Sequence, residues 1–310
     1  MGKNKSIPDT AVELGGLKLK NPVMTASGTF GYGLEFKPFV DLERLGAVVV
    51  KGLSLKPRTG NPSPRIVETP CGMLNAIGLQ NVGVEAFIKE KLPLLSEIDT
   101  HVIANIFGET IEEYSEVAGI LDDEEGVKAL EINISCPNVK KGGITFGTDP
   151  KEARRVVEAV KKSAQKTHVM TKLTPNVTEI GVMVRAVEEG GTDSISLINT
   201  IPGMVVDIEK RRPILATGTG GLSGPAIRPV AVRLLHEAKK AAKVPLIGIG
   251  GIMNGRDALE FIIAGAAAVQ VGTANFIDPA SAVKVVEGVE DYLKRHKTSV
   301  RDITGSLQAG

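Results

Sequence analysis

The stretch ALEINISCPNVKKGG (129–143) begins as a strand and ends as something else. Ala129, Leu130, Ile132 and Ile134 supply a short apolar run. The run breaks at Ser135-Cys136-Pro137, with Asn133 before the cysteine and Asn138 after it. Pro137 cannot donate to a strand ladder, so the extended segment stops there. Seven other runs share this texture: Pro22–Ser27, Ala47–Leu53, His101–Gly108, His168–Pro175, Ser194–Thr200, Pro245–Gly251 and Ala267–Ala274. With Ala129–Cys136 they make eight. Most are mainly apolar rather than alternating, as strands covered on both faces are. Amphipathic helix patterns lie between several of them, at Thr110–Leu121, Pro150–Thr167, Val177–Glu189, Pro229–Lys240 and Gly255–Ala264. Eight strands with intervening helices predict an α/β fold with parallel closure, the (β/α)8 TIM barrel, as a single domain over residues 1–310.

Two segments depart from the repeat. VELGGLKLK (12–20) reads as a hairpin turning at Gly15-Gly16, placed to plug the barrel bottom. Residues 57–83, rich in Pro, Gly and Asn, form a long insertion after the second strand. In such barrels that loop lies on the catalytic face.

Composition narrows the function. The 310 residues carry 37 Lys+Arg against 36 Asp+Glu, a net charge of +1, which does not suggest a strongly basic surface for nucleic acid or anionic lipid. No apolar run is long enough to span a bilayer and no signal peptide is evident, so a protein of the reducing cytoplasm is expected. Two cysteines, Cys71 and Cys136, make no disulfide framework and cannot ligate a four-thiolate cluster. No His, Asp or Glu cluster has metal-ligand spacing. Cys71 reads as a buried small hydrophobe.

The C-terminal ends of the eight runs are consistently polar or glycine: Ser27, Lys51-Gly52, Asn105, Asn133 with Cys136, Lys172, Asn199-Thr200, Gly250-Gly251 and Gly272-Thr273. Lys51 and Lys172 interrupt apolar strands; an inward lysine serves as Schiff-base nucleophile, phosphate ligand or cation beside an electron-rich ring. His101 and His168 begin strands, at the bottom face, away from chemistry. TGTGGLSGPAIRP (217–229), GIGGIMNG (248–255) and VGTANF (271–276) each set glycines before a helix start. Bare backbone there, together with a helix N-terminus, suits the phosphate of a mononucleotide. None is a G-x-G-x-x-G, so a dinucleotide fingerprint is absent.

Set on eight strands, NISCPN (133–138), NAIGLQN (75–81), GGLSGPA (220–226) and GIGGI (248–252) resemble the dihydroorotate dehydrogenases over essentially the whole chain. Cysteine at 136 resembles the soluble class 1. The runs KKGGITFGTDP (140–150) and PRTGNPSPRIVETPCGMLNAIGLQN (57–81) look like the B-type catalytic subunit. The resemblance implies FMN over Ser27, Lys51 and Gly52, with Asn105, Asn133 and Lys172 at its ring and ribityl chain and Ile198 in contact. Gly224, Gly250, Gly251, Gly272 and Thr273 would hold the phosphate. Dihydroorotate or orotate would meet Lys51, Asn75, Ala76, Ile77, Gly78, Leu79, Asn133, Asn138, Asn199 and Thr200. Cys136 would be the catalytic base: an unperturbed thiol pKa of about 8.5 is only a small shift from working pH. The 138–147 loop, with Gly142, Gly143 and Gly147 as hinges, would close over it.

The implied partner is an electron-transfer subunit carrying FAD and a [2Fe–2S] cluster, two of them on a homodimer of this chain, because nothing here forms a dinucleotide or cluster site. An exposed apolar patch near the FMN edge is expected to mark its docking surface. The rival enzymes are a flavin-dependent dihydrouridine synthase, which needs a basic tRNA surface and a further helical domain, and a Schiff-base aldolase using Lys172. A flavin-binding barrel without catalysis has no use for the ring of amides.

Overall fold

The computed structural model describes residues 9–135 and 146–308. The chain opens with an antiparallel hairpin, β1 (Val12–Leu14) and β2 (Leu17–Leu19). Strands β3 (Val23–Thr25) and β4 (Ala47–Val49) start the barrel, and an excursion then carries β5 (Ile66–Thr69) and β6 (Gly72–Asn75). The barrel resumes with β7 (His101–Ile106), β8 (Val127–Asn133), β9 (His168–Leu173) and β10 (Ser194–Leu197). A second excursion holds β11 (Ile201–Gly203), β12 (Val206–Asp207), β13 (Arg212–Pro213) and β14 (Gly220–Ser223), and β15 (Leu246–Ile249) and β16 (Ala268–Val271) follow. Strands β3, β4, β7, β8, β9, β10, β15 and β16 pair in parallel, and β16 returns to β3 through Val269↔Val23 and Gln270↔Met24 to close the barrel. All eight overlap the runs expected from sequence.

The two excursions meet in a way the sequence did not announce. Strands β11, β14, β6 and β5 form one antiparallel four-stranded sheet on the catalytic face. The expected insertion after β4 is therefore half of a structure, and the glycine run at 217–221 belongs to the other half.

Helices shield the outside. Pro150–Ser163 buries Ala153, Val156, Val157 and Val160, one stripe at helical spacing, and Asp149 caps it by accepting the Lys151 and Glu152 N–H groups (2.8 and 3.2 Å). It ends earlier than the sequence pattern suggests. Asp122 accepts the N–H groups of Gln165, Lys166 and Thr167, which draws the following residues away from helical pairing. Ser281–His296, a helix beyond the five patterns expected from sequence, buries Ala282, Val285, Val286, Val289 and Leu293 and packs on β3.

The hairpin lies beneath the barrel, as expected. Leu14 and Leu19 are fully buried against Met24, Val49, Ile103 and Met170, forming an apolar floor. Burying each leucine contributes about 1.5–3 kcal/mol. The hairpin turn requires glycine: Gly15 has φ of 55° and a Cβ there would stand 2.5 Å from the Asp193 carbonyl oxygen. His101 donates from Nε2 to the Lys18 carbonyl at 2.9 Å, and His168 bonds Ser194 Oγ at 2.7 Å, so both histidines serve the bottom.

Burial pushes the His168 pKa below the ordinary histidine value, against the pull of Asp193. The unfolded chain then binds the proton that the folded chain resists. The stability contribution is full above the unfolded pKa and declines as pH falls towards the folded one. Denaturant unfolding from neutral to mildly acidic pH should show this decline, with a slope of at most about 1.4 kcal/mol per pH unit from this group, and His168→Gln should flatten it.

Candidate active site

Above the floor the barrel interior turns polar. Glu131 on β8 is fully buried, and donors from the surrounding strands converge on it. Asn105 Nδ2 donates to Oε2 at 2.7 Å, and Ser196 Oγ and Gln270 Nε2 donate to Oε1 at 2.8 and 2.7 Å. Lys172 Nζ lies 3.7 Å from Oε2 and donates to Ser27 Oγ at 3.2 Å. Gly52 stands beside this tier; a Cβ on it would be 2.9 Å from Asn105 Oδ1. Ser27, Gly52, Asn105 and Lys172 thus form one contact group. Lys51 adjoins it, half-buried; burial and then the Arg65 charge lower its pKa, and Glu35 opposes them.

Two residues further along β8, Asn133 begins a second group. Its Oδ1 accepts from Asn199 Nδ2 (3.3 Å) and from the Ser135 N–H (3.2 Å), and Tyr114 OH anchors its carbonyl at 2.7 Å. Asn199 Oδ1 accepts the Thr200 N–H at 2.8 Å. A Cβ on Gly221 would fall on Thr200 Oγ1, so glycine is what lets β14 pass. Asn75 Nδ2 donates to the Gly221 carbonyl at 3.3 Å, which ties β6 to the same rim. The following turn is held by Asn61, whose N–H donates to the Ile77 carbonyl at 3.0 Å and whose Nδ2 donates to that of Ala76 at 3.0 Å. Gly78 and Leu79 both have positive φ there, 75° and 58°.

The third group is a cradle of loops. Gly251 is packed so closely that a Cβ would lie 2.7 Å from the Gly224 carbonyl oxygen. A Cβ on Gly224 would lie 3.6 Å from Thr273 Cγ2, and one on Gly250 would lie 3.6 Å from Ile198 Cγ1. Ser223 and Thr273 hydroxyls are 2.8 Å apart. Gly272 borders Ala26. Bare backbone and two hydroxyls thus gather just ahead of the helices Arg228–Ala241 and Gly255–Ala264, a donor set suited to an anion. Arg228 pairs with Asp257 and, at 3.4 Å, with Glu260, which binds these two helices together.

Not every expectation holds. Cys71 is exposed, not buried: it occupies the tight turn between β5 and β6, where its carbonyl accepts the Ala226 N–H at 2.8 Å. Within 217–229 the cradle takes Ser223 and Gly224, with Ile227 and Arg228 packed beside Gly250 and Gly251, whereas Gly220 and Gly221 pair with β11 and β6. Cys136 and Asn138 lie outside the described residues, as do Gly142 and Gly143. The sequence reading passed over Glu131, Ser196, Gln270 and Ser223. Glu131 and Gln270 carry the signal that singled out Lys51 and Lys172, a polar residue inside an apolar strand.

With the barrel and its strand-end site in place, comparison with known proteins is specific. Residues 10–293 match the family model described as dihydroorotate dehydrogenase. The chain belongs to that family. It is 60% identical over 302 residues, 97% of this chain and 99% of the relative, to the catalytic subunit of dihydroorotate dehydrogenase B (NAD(+)) from Citrifermentans bemidjiense. It is 58% identical over 308 residues, 99% of each, to the same-named subunit from Geotalea uraniireducens. The subunit of that name from Geobacter sulfurreducens is 58% identical over 302 residues.

Gly221→Ala should force Thr200 aside and weaken the rim without breaking the barrel. Chemical denaturation should register a loss of about 1–3 kcal/mol, the usual cost of overpacking a tight site.

Proposed function

We propose that this chain oxidises (S)-dihydroorotate to orotate with the help of bound FMN, in de novo pyrimidine synthesis, and passes the electrons through a partner subunit to NAD+. The observation that carries the reading is the stacking at one end of the barrel: a tier holding Asn105 and Lys172 over an apolar floor, with the linked amides Asn133 and Asn199 beyond it. Family membership and the names of its relatives support it.

The residues present fit FMN. Ser27, Lys51, Gly52, Asn105, Asn133 and Lys172 offer donors, acceptors and cations for a polar ring and ribityl chain, with Ile198 as an apolar contact. Gly224, Gly250, Gly251, Gly272 and Thr273, joined by Ser223, would receive its phosphate. Bound there, FMN supplies the hydride acceptor. The substrate would be gripped by Lys51, by Asn75 to Leu79, and by Asn133, Asn138, Asn199 and Thr200. Asparagine carries a donor and an acceptor on one short arm, which matches the amide edges of orotate. Cys136, as thiolate, takes the proton from the carbon next to the one that gives up the hydride. Lys172 stabilises the negative charge that develops on reduction.

Cys136→Ala should keep FMN and bind orotate, yet lose flavin reduction by roughly 10²–10⁴ in rate. Cys136→Ser should regain part of it at high pH, because a hydroxyl is the weaker acid. Stopped-flow bleaching of the flavin reads both, and undiminished bleaching in Cys136→Ala at neutral pH would refute the assignment.

Partner dependence gives a separate test. A chain without dinucleotide fingerprint or cluster ligands needs an electron carrier. The purified chain mixed with dihydroorotate and NAD+ should form NADH very slowly, and addition of a FAD and [2Fe–2S] subunit should make it fast. Fast NADH formation by the chain alone would count against the B-type reading, and fast turnover with fumarate would point to the A-type.

A further inference from the structure

The carboxylate of Glu131 has no part in the chemistry just described, yet it gathers polar side chains from four other barrel strands. It is fully buried, so water does not screen it. All four of its neighbours present donors: Asn105 Nδ2, Ser196 Oγ, Gln270 Nε2 and Lys172 Nζ. Donors on every side are what an ionised carboxylate accepts and what a protonated one would waste.

Two of those neighbours, Asn105 and Lys172, belong to the tier that the proposed function places against the flavin. Asn105 spends its Nδ2 on Glu131 at 2.7 Å, so its amide is turned with Oδ1 towards Gly52. It therefore offers the ligand an acceptor rather than a donor. Lys172 keeps its cation 3.7 Å from an unscreened anion. Whatever the lysine does to favour negative charge on a neighbouring ring, Glu131 offsets in part.

We propose that Glu131 is a positioning residue that fixes the acceptor face of Asn105 and, as the counter-charge of Lys172, holds down the reduction potential of the bound flavin. A lone buried cation in this tier would make the flavin a stronger oxidant of substrate and a poorer donor onward. Pairing Lys172 with Glu131 keeps the electrons transferable.

The proposal rests on the flavin-binding reading, and wild-type protein separates the two: failure of the wild type to bind FMN refutes that reading, whereas the tests below compare flavin-loaded proteins. The measurement is potentiometric titration of the bound flavin. In Glu131→Gln the buried anion is gone, and the equilibrium for flavin reduction should move at least tenfold towards the reduced form, a rise of about 30 mV for a two-electron couple. Glu131→Asp keeps the charge and should stay close to the wild-type midpoint. A Glu131→Gln midpoint equal to or below wild type would overturn the proposal.

Glu131→Gln leaves Lys172 unpaired, and a second comparison guards against loss of flavin for that reason alone. Removing both partners of a buried pair strands no charge. Glu131→Gln/Lys172→Gln should titrate at least tenfold more easily to the reduced form than Lys172→Gln alone. Coincident midpoints for those two proteins would show that Glu131 carries no charge felt by the flavin, and would equally sink the idea.

Discussion

A carboxylate at the axis of a closed barrel must be answered by donors from the strands around it, and much of this site follows from that requirement. Glu131 on β8 can be buried because β7, β10 and β16 each turn a donor inward at its level, and β9 brings Lys172. Isolated, such a charge would cost several kcal/mol. Satisfied, it divides the interior in two. Below it Met24, Val49, Ile103 and Met170 pack on the hairpin leucines. Above it the same strands can carry amides, lysine and glycine, since side chains two residues further along a strand face the same interior.

The outer rim is governed by a different constraint, the close approach of backbones. Gly72 and Gly221 sit where a Cβ would strike Ser223 or Thr200, and Gly251 sits where one would strike Gly224. Glycine at these places lets two long excursions and two helix-leading loops share a space that side chains would otherwise fill. The anion cradle and the amide rim are then neighbours along one continuous wall: Ser223 belongs to both β14 and the cradle, and Gly221 lies two residues before it.

The barrel was legible because strands covered on both faces read as compact apolar runs, and Lys51, Lys172, Asn133 and Asn199 were legible as intrusions into those runs. Glu131 and Gln270 were equally visible as intrusions. Their meaning was not, because it resides in contacts between residues 65 and 139 positions apart. The glycines of β14 hid a strand for a related reason. Two glycines lower local strand propensity, and the partner that overrides it is β6, far back in the sequence. Cys71 was misread because a cysteine's preference for burial says nothing about a two-residue turn that points it outwards. Helix ends slipped where a remote group decided them, as Asp122 does beyond Ser163.

The sheet assembled from both excursions also bears on how the chain is made. The Asn75–Gly221 hydrogen bond joins residues 146 apart in a chain of 310. β14 is translated long after β6, so the edge of β6 that it covers has no partner in this sheet until then. Ahead of β5, the outer strand of the finished sheet, Pro57, Pro62 and Pro64 withhold N–H groups, and Arg58 and Arg65 add charge. The prolines that make this segment look like an idle loop lead into a strand that stays at the sheet edge, whereas the edge of β6 has to wait for its partner.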